Sequence, residues 1–229
     1  MAWLTGWDQR IKLTIDYTKV DAGLTWFPVT VFLDPTHGDC VFDELTSDAN
    51  RFKIAFTKAD GETELYGEIE KWDDANELAI IHVSKDGWAI SGSGDTDFYM
   101  YYDVDHADNT TYIGDINSTP GAAVWDGDFL CVLHMSQDPA IGGACILDST
   151  SNSYDGTPGG MDASNLVAGL NSYGLNFEYG DYVKVPYNAT MDANEITVEA
   201  FTQPSALANR YMLFSRWNEA VGEYPVACS

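Results

Sequence analysis

Glu64-Leu-Tyr-Gly-Glu-Ile-Glu70 and Glu77-Leu-Ala-Ile-Ile-His-Val83, separated by the turn signal Trp72-Asp-Asp-Ala-Asn76, carry the reading of the fold. In the first run Leu65 and Ile69 fall on one side and Glu64, Tyr66, Glu68 and Glu70 on the other, the two-residue period of a half-buried strand. Alternating runs recur on both sides of this pair, at 10–17, 28–33, 51–56 and 96–102. Between them stand Asp21-Ala-Gly23, Thr36-His-Gly-Asp39, Ala59-Asp-Gly61 and Ser91-Gly-Ser-Gly94. Six strands at this spacing predict a β-sandwich. Only 41–50 and 161–169 read as short helical or irregular segments.

The second half offers Ile146-Leu-Asp-Ser-Thr-Ser-Asn-Ser-Tyr-Asp-Gly-Thr157, a loop rich in Asp, Asn and Ser, ahead of Tyr173-Gly-Leu-Asn-Phe-Glu-Tyr-Gly-Asp-Tyr-Val-Lys-Val-Pro186. Leu175 and Phe177 share a face, and Gly180-Asp181 reads as a hairpin turn before Tyr182 and Val185. The expectation is all-β throughout.

At 229 residues, with 45% hydrophobic side chains, the chain is long enough for one or two packed cores. Charge is the outlying property: 36 acidic against 11 basic residues give a net charge of -25. Phosphate backbones and anionic membranes repel such a surface, so no nucleic-acid or membrane partner is expected. Nor does any run approach the about 20 apolar residues needed to span a bilayer. The opening Met1-Ala-Trp-Leu-Thr-Gly-Trp-Asp8 lacks the basic and apolar regions of a secretory signal. That fits a virus-particle component released by lysis, or a chain whose signal has been removed. Cys40, Cys131, Cys145 and Cys228 allow two disulfides, with Cys131 and Cys145 the first pair to consider, or buried free thiols.

The order of the pieces carries a resemblance. Trp3-Leu-Thr-Gly-Trp-Asp-Gln-Arg-Ile-Lys-Leu-Thr-Ile-Asp16, Arg51-Phe-Lys-Ile54, Tyr66-Gly-Glu-Ile-Glu-Lys-Trp-Asp73, Tyr99-Met-Tyr-Tyr102, Ala123-Val-Trp-Asp126 and Leu133-His-Met135 resemble the family called domain of unknown function 2341. The loop from Ile146 and the stretch from Tyr173 are similar to the start of a laminin-G/concanavalin A-like module. Together these resemblances imply two β-sandwich modules of jelly-roll or concanavalin-like type, 1–120 and 121–229. The second is incomplete, because only six of about a dozen strands fit between Val124 and Ser229. An open half-module implies burial against the first domain, another subunit or further chain.

Catalysis finds little support. Glu68 and Glu70 share a strand face, but the Glu-x-Asp-x-x-Glu run usual in concanavalin-like glycanases is absent, so a solvated or strand-edge role is expected. His37, His82, His106 and His134 show no zinc spacing, and His134, in an apolar run, reads as a satisfied core side chain. Calcium has candidate oxygen ligands in Asp148, Asn152 and Asp155, as the laminin-G resemblance implies, although the same residues form Asx turns, the favoured reading. Trp88 and Trp217, next to loop-like sequence, are the candidate carbohydrate platforms.

These readings lead to two expectations. One is a non-enzymatic structural, decoration or attachment protein on a bacteriophage virion or extracellular filament, forming a homo-oligomer or binding other particle subunits, with a surface glycan as a further contact. The other is a carbohydrate-binding fragment of a larger secreted or cell-surface protein.

Overall fold

The computed structural model describes residues 2–169, 172–192, 195–204, 213–218 and 223–228. The first half supplies strands β1 (Gln9–Ile15), β2 (Leu24–Thr25), β3 (Val29–Leu33), β4 (Ile54–Lys58), β5 (Glu64–Asp73), β6 (Leu78–Ser84), β7 (Ala89–Ile90), β8 (Thr96–Tyr102) and β9 (Ile113–Asp115). Six of these coincide with the expected runs. The second half supplies β10 (Thr157–Gly159), β11 (Leu166–Ala168), β12 (Tyr173–Leu175), β13 (Tyr182–Lys184), β14 (Phe214–Asn218) and β15 (Glu223–Cys228). Among the described residues two short helices, α1 (Asp39–Leu45) and α2 (Thr119–Ala122), interrupt the β pattern, the first overlapping the start of the segment expected to be helical.

Seven strands, in the order β1-β8-β4-β5-β6-β3 with β9 beside β5, form a sheet that curls into half a barrel. Strand β5 is its pivot. Its first residues pair with β4 (Phe56↔Leu65), the same edge then takes β9 in parallel (Gly67↔Ile113), and the other edge pairs with β6. Alternation decides which side chains meet. Phe98 and Met100 of β8 join Ile54, Phe56, Leu65 and Ile81 with Val41, Phe42 and Leu45 of α1 in the main core. Tyr99 and Tyr101, the intervening residues, turn to the other face, where Trp7 and Leu4 cover them. Each fully buried Leu, Ile or Phe contributes about 1.5–3 kcal/mol relative to exposure.

The chain divides into compact units Met1–Tyr187 and Asn188–Ser229, so the division lies well beyond the expected boundary at 120. Residues 121–187 belong to the first unit because their side chains are partners of the sheet, Trp125 and His134 foremost. Among the described residues of the second half six strands occur, as three two-stranded ribbons. The expected hairpin between Tyr173 and Val185 is also corrected. β12 pairs with β11 and β13 pairs with β10, one ribbon nested in the other. The turn itself is present, with the Asp181 amide donating to the Glu178 carbonyl at 3.1 Å. Asn165 Nδ2 donates to the Asn176 carbonyl and to Asp181 Oδ2, drawing that loop back toward the capped turn at Asp162 rather than into a hairpin. In the second unit β14 pairs antiparallel with β15.

Cys40, Cys131 and Cys145 are free thiols, so Cys131 and Cys145 are not bridged. Cys131 Sγ points at the Tyr154 carbonyl and Cys145 Sγ at those of Asp138 and Pro139. Burial, with Asp148 and Asp155 nearby, pushes the Cys131 thiol up to about 12, which leaves it a poor nucleophile.

Candidate functional site

The polar centre of the molecule lies on the two strands that open the sequence analysis. Thr30, His82 and Glu68 stand in one cross-strand row over β3, β6 and β5. Between Ile69 and Lys71 the β5–β6 register slips, a bulge that leaves Glu70 without a direct cross-strand partner and aims it at the row. Glu68 is 0% exposed. The expectation of solvated carboxylates is therefore overturned: Glu68 is buried and Glu70 nearly so, because partners arrive from later in the chain.

The delivery of those partners begins at the end of β9. Ser118 caps α2, accepting from the Gly121 amide at 3.1 Å and donating to the Asp115 carbonyl at 2.6 Å. Gly121 lies against β5, where an added Cβ would stand 3.3 Å from Glu68 Cγ and 2.6 Å from the Asp115 carbonyl. Val124 is fully buried, and Trp125 Nε1 donates to Glu68 Oε2 at 2.9 Å. His134 follows, bridging both carboxylates: Nε2 is 3.1 Å from Glu68 Oε2 and Nδ1 is 3.2 Å from Glu70 Oε2. His82 Nε2 reaches the same Glu70 oxygen at 2.9 Å, while its Nδ1 meets Thr30 Oγ1 at 3.1 Å. His134 is the satisfied, buried side chain that its apolar setting indicated, though it sits beside an isolated bridge (Leu133↔Asp148) rather than in a strand.

Burial opposes charge on both Glu70 and His134, but their mutual contacts prevail. Hydrogen bonds and charge from His134 and His82 hold Glu70 down at about 2. Those from Glu68 and Glu70 raise His134 to about 9. Glu68 Oε1 has no hydrogen-bond partner. Glu70 also lines a cleft of about 390 Å³ whose walls include Arg51, Trp72, Asp115 and Gln137. Arg51 grips Asp115 through two parallel hydrogen bonds of 3.0 and 2.8 Å. Trp72 Nε1 and Gln137 Oε1, a donor and an acceptor, are buried there without partners. Among the described residues, Glu70, His82 and His134 are the group whose donor atoms, all within 4.8 Å of one another, could hold a metal ion.

The residues singled out by sequence lie elsewhere. Asp148 is fully buried, and its carboxylate accepts from the amides of Val132, Thr150 and Tyr154 and from Thr150 Oγ1. Asp155 accepts from the Asp148 amide, and Asn152 Nδ2 donates to the carbonyls of Phe129 and Leu130. Asp148 and Asp155 thus bond to backbone amides, as in the turn reading, whereas Asn152 ties the loop to the carbonyls of a distant segment. Trp88 is 3% exposed and packs against Phe98 with ring centroids 5.4 Å apart, so its faces belong to the core and are not offered to a sugar. Trp217 lies on β14, and its side chain is outside the described residues.

Exposed aromatics recur along the stretch from β12 to β13, at Tyr173, Phe177, Tyr179 and Tyr182. Tyr182 lies across Gly159 of the paired strand, where a Cβ would collide with its ring. Lys71 Nζ sits 5.4 Å from the Tyr173 ring and ties this strand to β5. Compared with known proteins, the chain matches no family model, no curated protein and no solved structure.

Proposed function

We propose that the chain is a non-enzymatic surface protein. In this reading it is a structural, decoration or attachment subunit on the outside of a bacteriophage virion or an extracellular filament, related to the domain of unknown function 2341 family and to laminin-G/concanavalin-like sandwiches. The observation that supports it is the exposure of four aromatic side chains, Tyr173, Phe177, Tyr179 and Tyr182, within one short stretch of an otherwise strongly acidic chain. Aromatic side chains offer large contact area at low conformational-entropy cost, so a partner subunit gains most by covering them. With a net charge of -25 the partner is neither nucleic acid nor an anionic membrane.

A second reading, glycan binding, is favoured by Tyr182, an exposed ring that lies against Gly159 of the paired strand and can stack against a sugar face. Light scattering over a range of concentrations, followed by a glycan array, tests both. Either a discrete oligomer or array retention is expected, lost when Tyr179 and Tyr182 are both replaced by Ser. A wild-type chain that stays monomeric and retains no glycan would require the proposal to be dropped.

A further inference from the structure

We infer that Glu70, His82 and His134 form a three-point binding site for a zinc-class divalent cation, with Glu68 and Thr30 orienting the two imidazoles from behind. His82 Nε2 and His134 Nδ1 converge on a single oxygen, Glu70 Oε2, at 2.9 and 3.2 Å. Ligand atoms of a tetrahedral zinc ion, at bond lengths near 2.0–2.2 Å, stand about 3.3 Å apart. To admit an ion these two contacts open by only a few tenths of an ångström, while the two imidazole nitrogens, which with Glu70 form a group of donors within 4.8 Å of one another, draw together.

The remaining nitrogens carry the stronger argument. A metal-bound imidazole is fixed by what its other nitrogen donates to, usually a carboxylate or another oxygen. Here the other nitrogen of His134 faces Glu68 Oε2 at 3.1 Å, and that of His82 faces Thr30 Oγ1 at 3.1 Å. Both rings are thus held with one nitrogen turned toward the shared point. Trp125 Nε1 holds Glu68 Oε2 in turn, at 2.9 Å. Two carboxylates in a buried setting also call for two positive charges, which one divalent ion supplies at a single point.

Two imidazoles and one carboxylate select zinc, cobalt, nickel or copper over calcium and magnesium, which take all-oxygen sets. Three protein donors leave one tetrahedral position to water, and Glu70, shared with the cleft wall, gives the ion a path from solvent. Once bound, the ion ties the segment after α2 to β5 and β6. This site is separate from the aromatic ribbons, so its fate does not depend on the surface function proposed above.

The test uses the full chain, stripped with a chelator and shown to be folded by circular dichroism. Cobalt(II) is followed by visible absorption and zinc by calorimetry. One equivalent of cobalt should give the intense visible bands of a tetrahedral site, zinc should displace it, and excess calcium or magnesium should not. His82→Ala should abolish the bands. Thr30→Val, a surface change that leaves all three ligands in place, should weaken zinc binding by about 10–100-fold. A folded wild-type chain that takes up neither ion overturns the inference, as does undiminished binding by His82→Ala.

Discussion

His134 and His82 lie face to face, with ring centroids 4.8 Å apart and planes 15° from parallel. This stack explains how so polar a ring can be buried. Both nitrogens of His134 are taken by carboxylates, one face by His82, and Trp125 approaches at 5.9 Å. Glu68 Oε2 and Glu70 Oε2 thereby gain a shared partner from a loop, and that loop is fixed to the sheet by the same contacts. Ion pairing and loop placement form one unit, so disturbing either disturbs both.

A pH dependence follows with a definite sign. His134 is raised from 6.5 to about 9, so its stabilising contribution is complete below the ordinary value and is lost as pH rises through about 9. Glu70 is lowered from 4.5 to about 2, so its contribution is complete above the ordinary value and is lost as pH falls through about 2. The cluster therefore stabilises most between the two ordinary values. Urea unfolding of wild type and His134→Ala at a series of pH values isolates it from the other carboxylates. Near pH 6 the variant is expected to lose about 3–5 kcal/mol, the cost of leaving buried charge unpaired. That difference should shrink on the alkaline side, and a constant difference up to about pH 10 would rule out the bridging imidazolium.

A fully buried Asp148 makes the second prediction. Its carboxylate serves four donors, three of them backbone amides. Asp148→Ala strands these donors at about 1–3 kcal/mol each, so a stability loss of about 3 kcal/mol or more is expected. Asp148→Asn, which keeps one acceptor oxygen, should lose less. Since the oxygens are already engaged, millimolar calcium is expected to leave the melting temperature of the wild type unchanged. A clear rise with calcium, absent in Asp148→Asn, would instead establish the loop as a calcium site.

The strands were legible because burial on one face writes itself into the sequence with period two, as in Ile11, Leu13 and Ile15 against Lys12 and Thr14. Glu68 was not legible for the same reason: a carboxylate opposite the apolar face reads as solvent-exposed. What covers it, Trp125 and His134, lies 57 and 66 residues away and carries no local mark of that contact. The available signal was that Glu68 and Glu70 share one strand face and that His134 falls in an apolar run. His82 had a second signal, its place in the run paired across the turn from Glu68. Strand pairing in the second half failed because three-residue strands have too little pattern to fix a partner. There, side-chain bonds such as Asn165 to Asp181 decide it.

Gly121 supplies the last prediction, because it controls how closely α2 approaches Glu68. A Cβ at this position would meet the Asp115 carbonyl at 2.6 Å, Ser118 Oγ at 2.9 Å and Glu68 Cγ at 3.3 Å. The first is backbone at the end of β9, and the second is the cap that starts the helix, so neither yields cheaply. Gly121→Ala favours helix locally but must lift α2 from the sheet, and overpacking of this kind costs about 1–3 kcal/mol. The displaced helix would draw Trp125 Nε1 away from Glu68, exposing the indole and the carboxylate together. Urea unfolding followed by tryptophan fluorescence should show lower stability with a red-shifted native spectrum. A variant as stable as wild type with an unchanged native spectrum would mean that Trp125 is not placed by the close approach of α2.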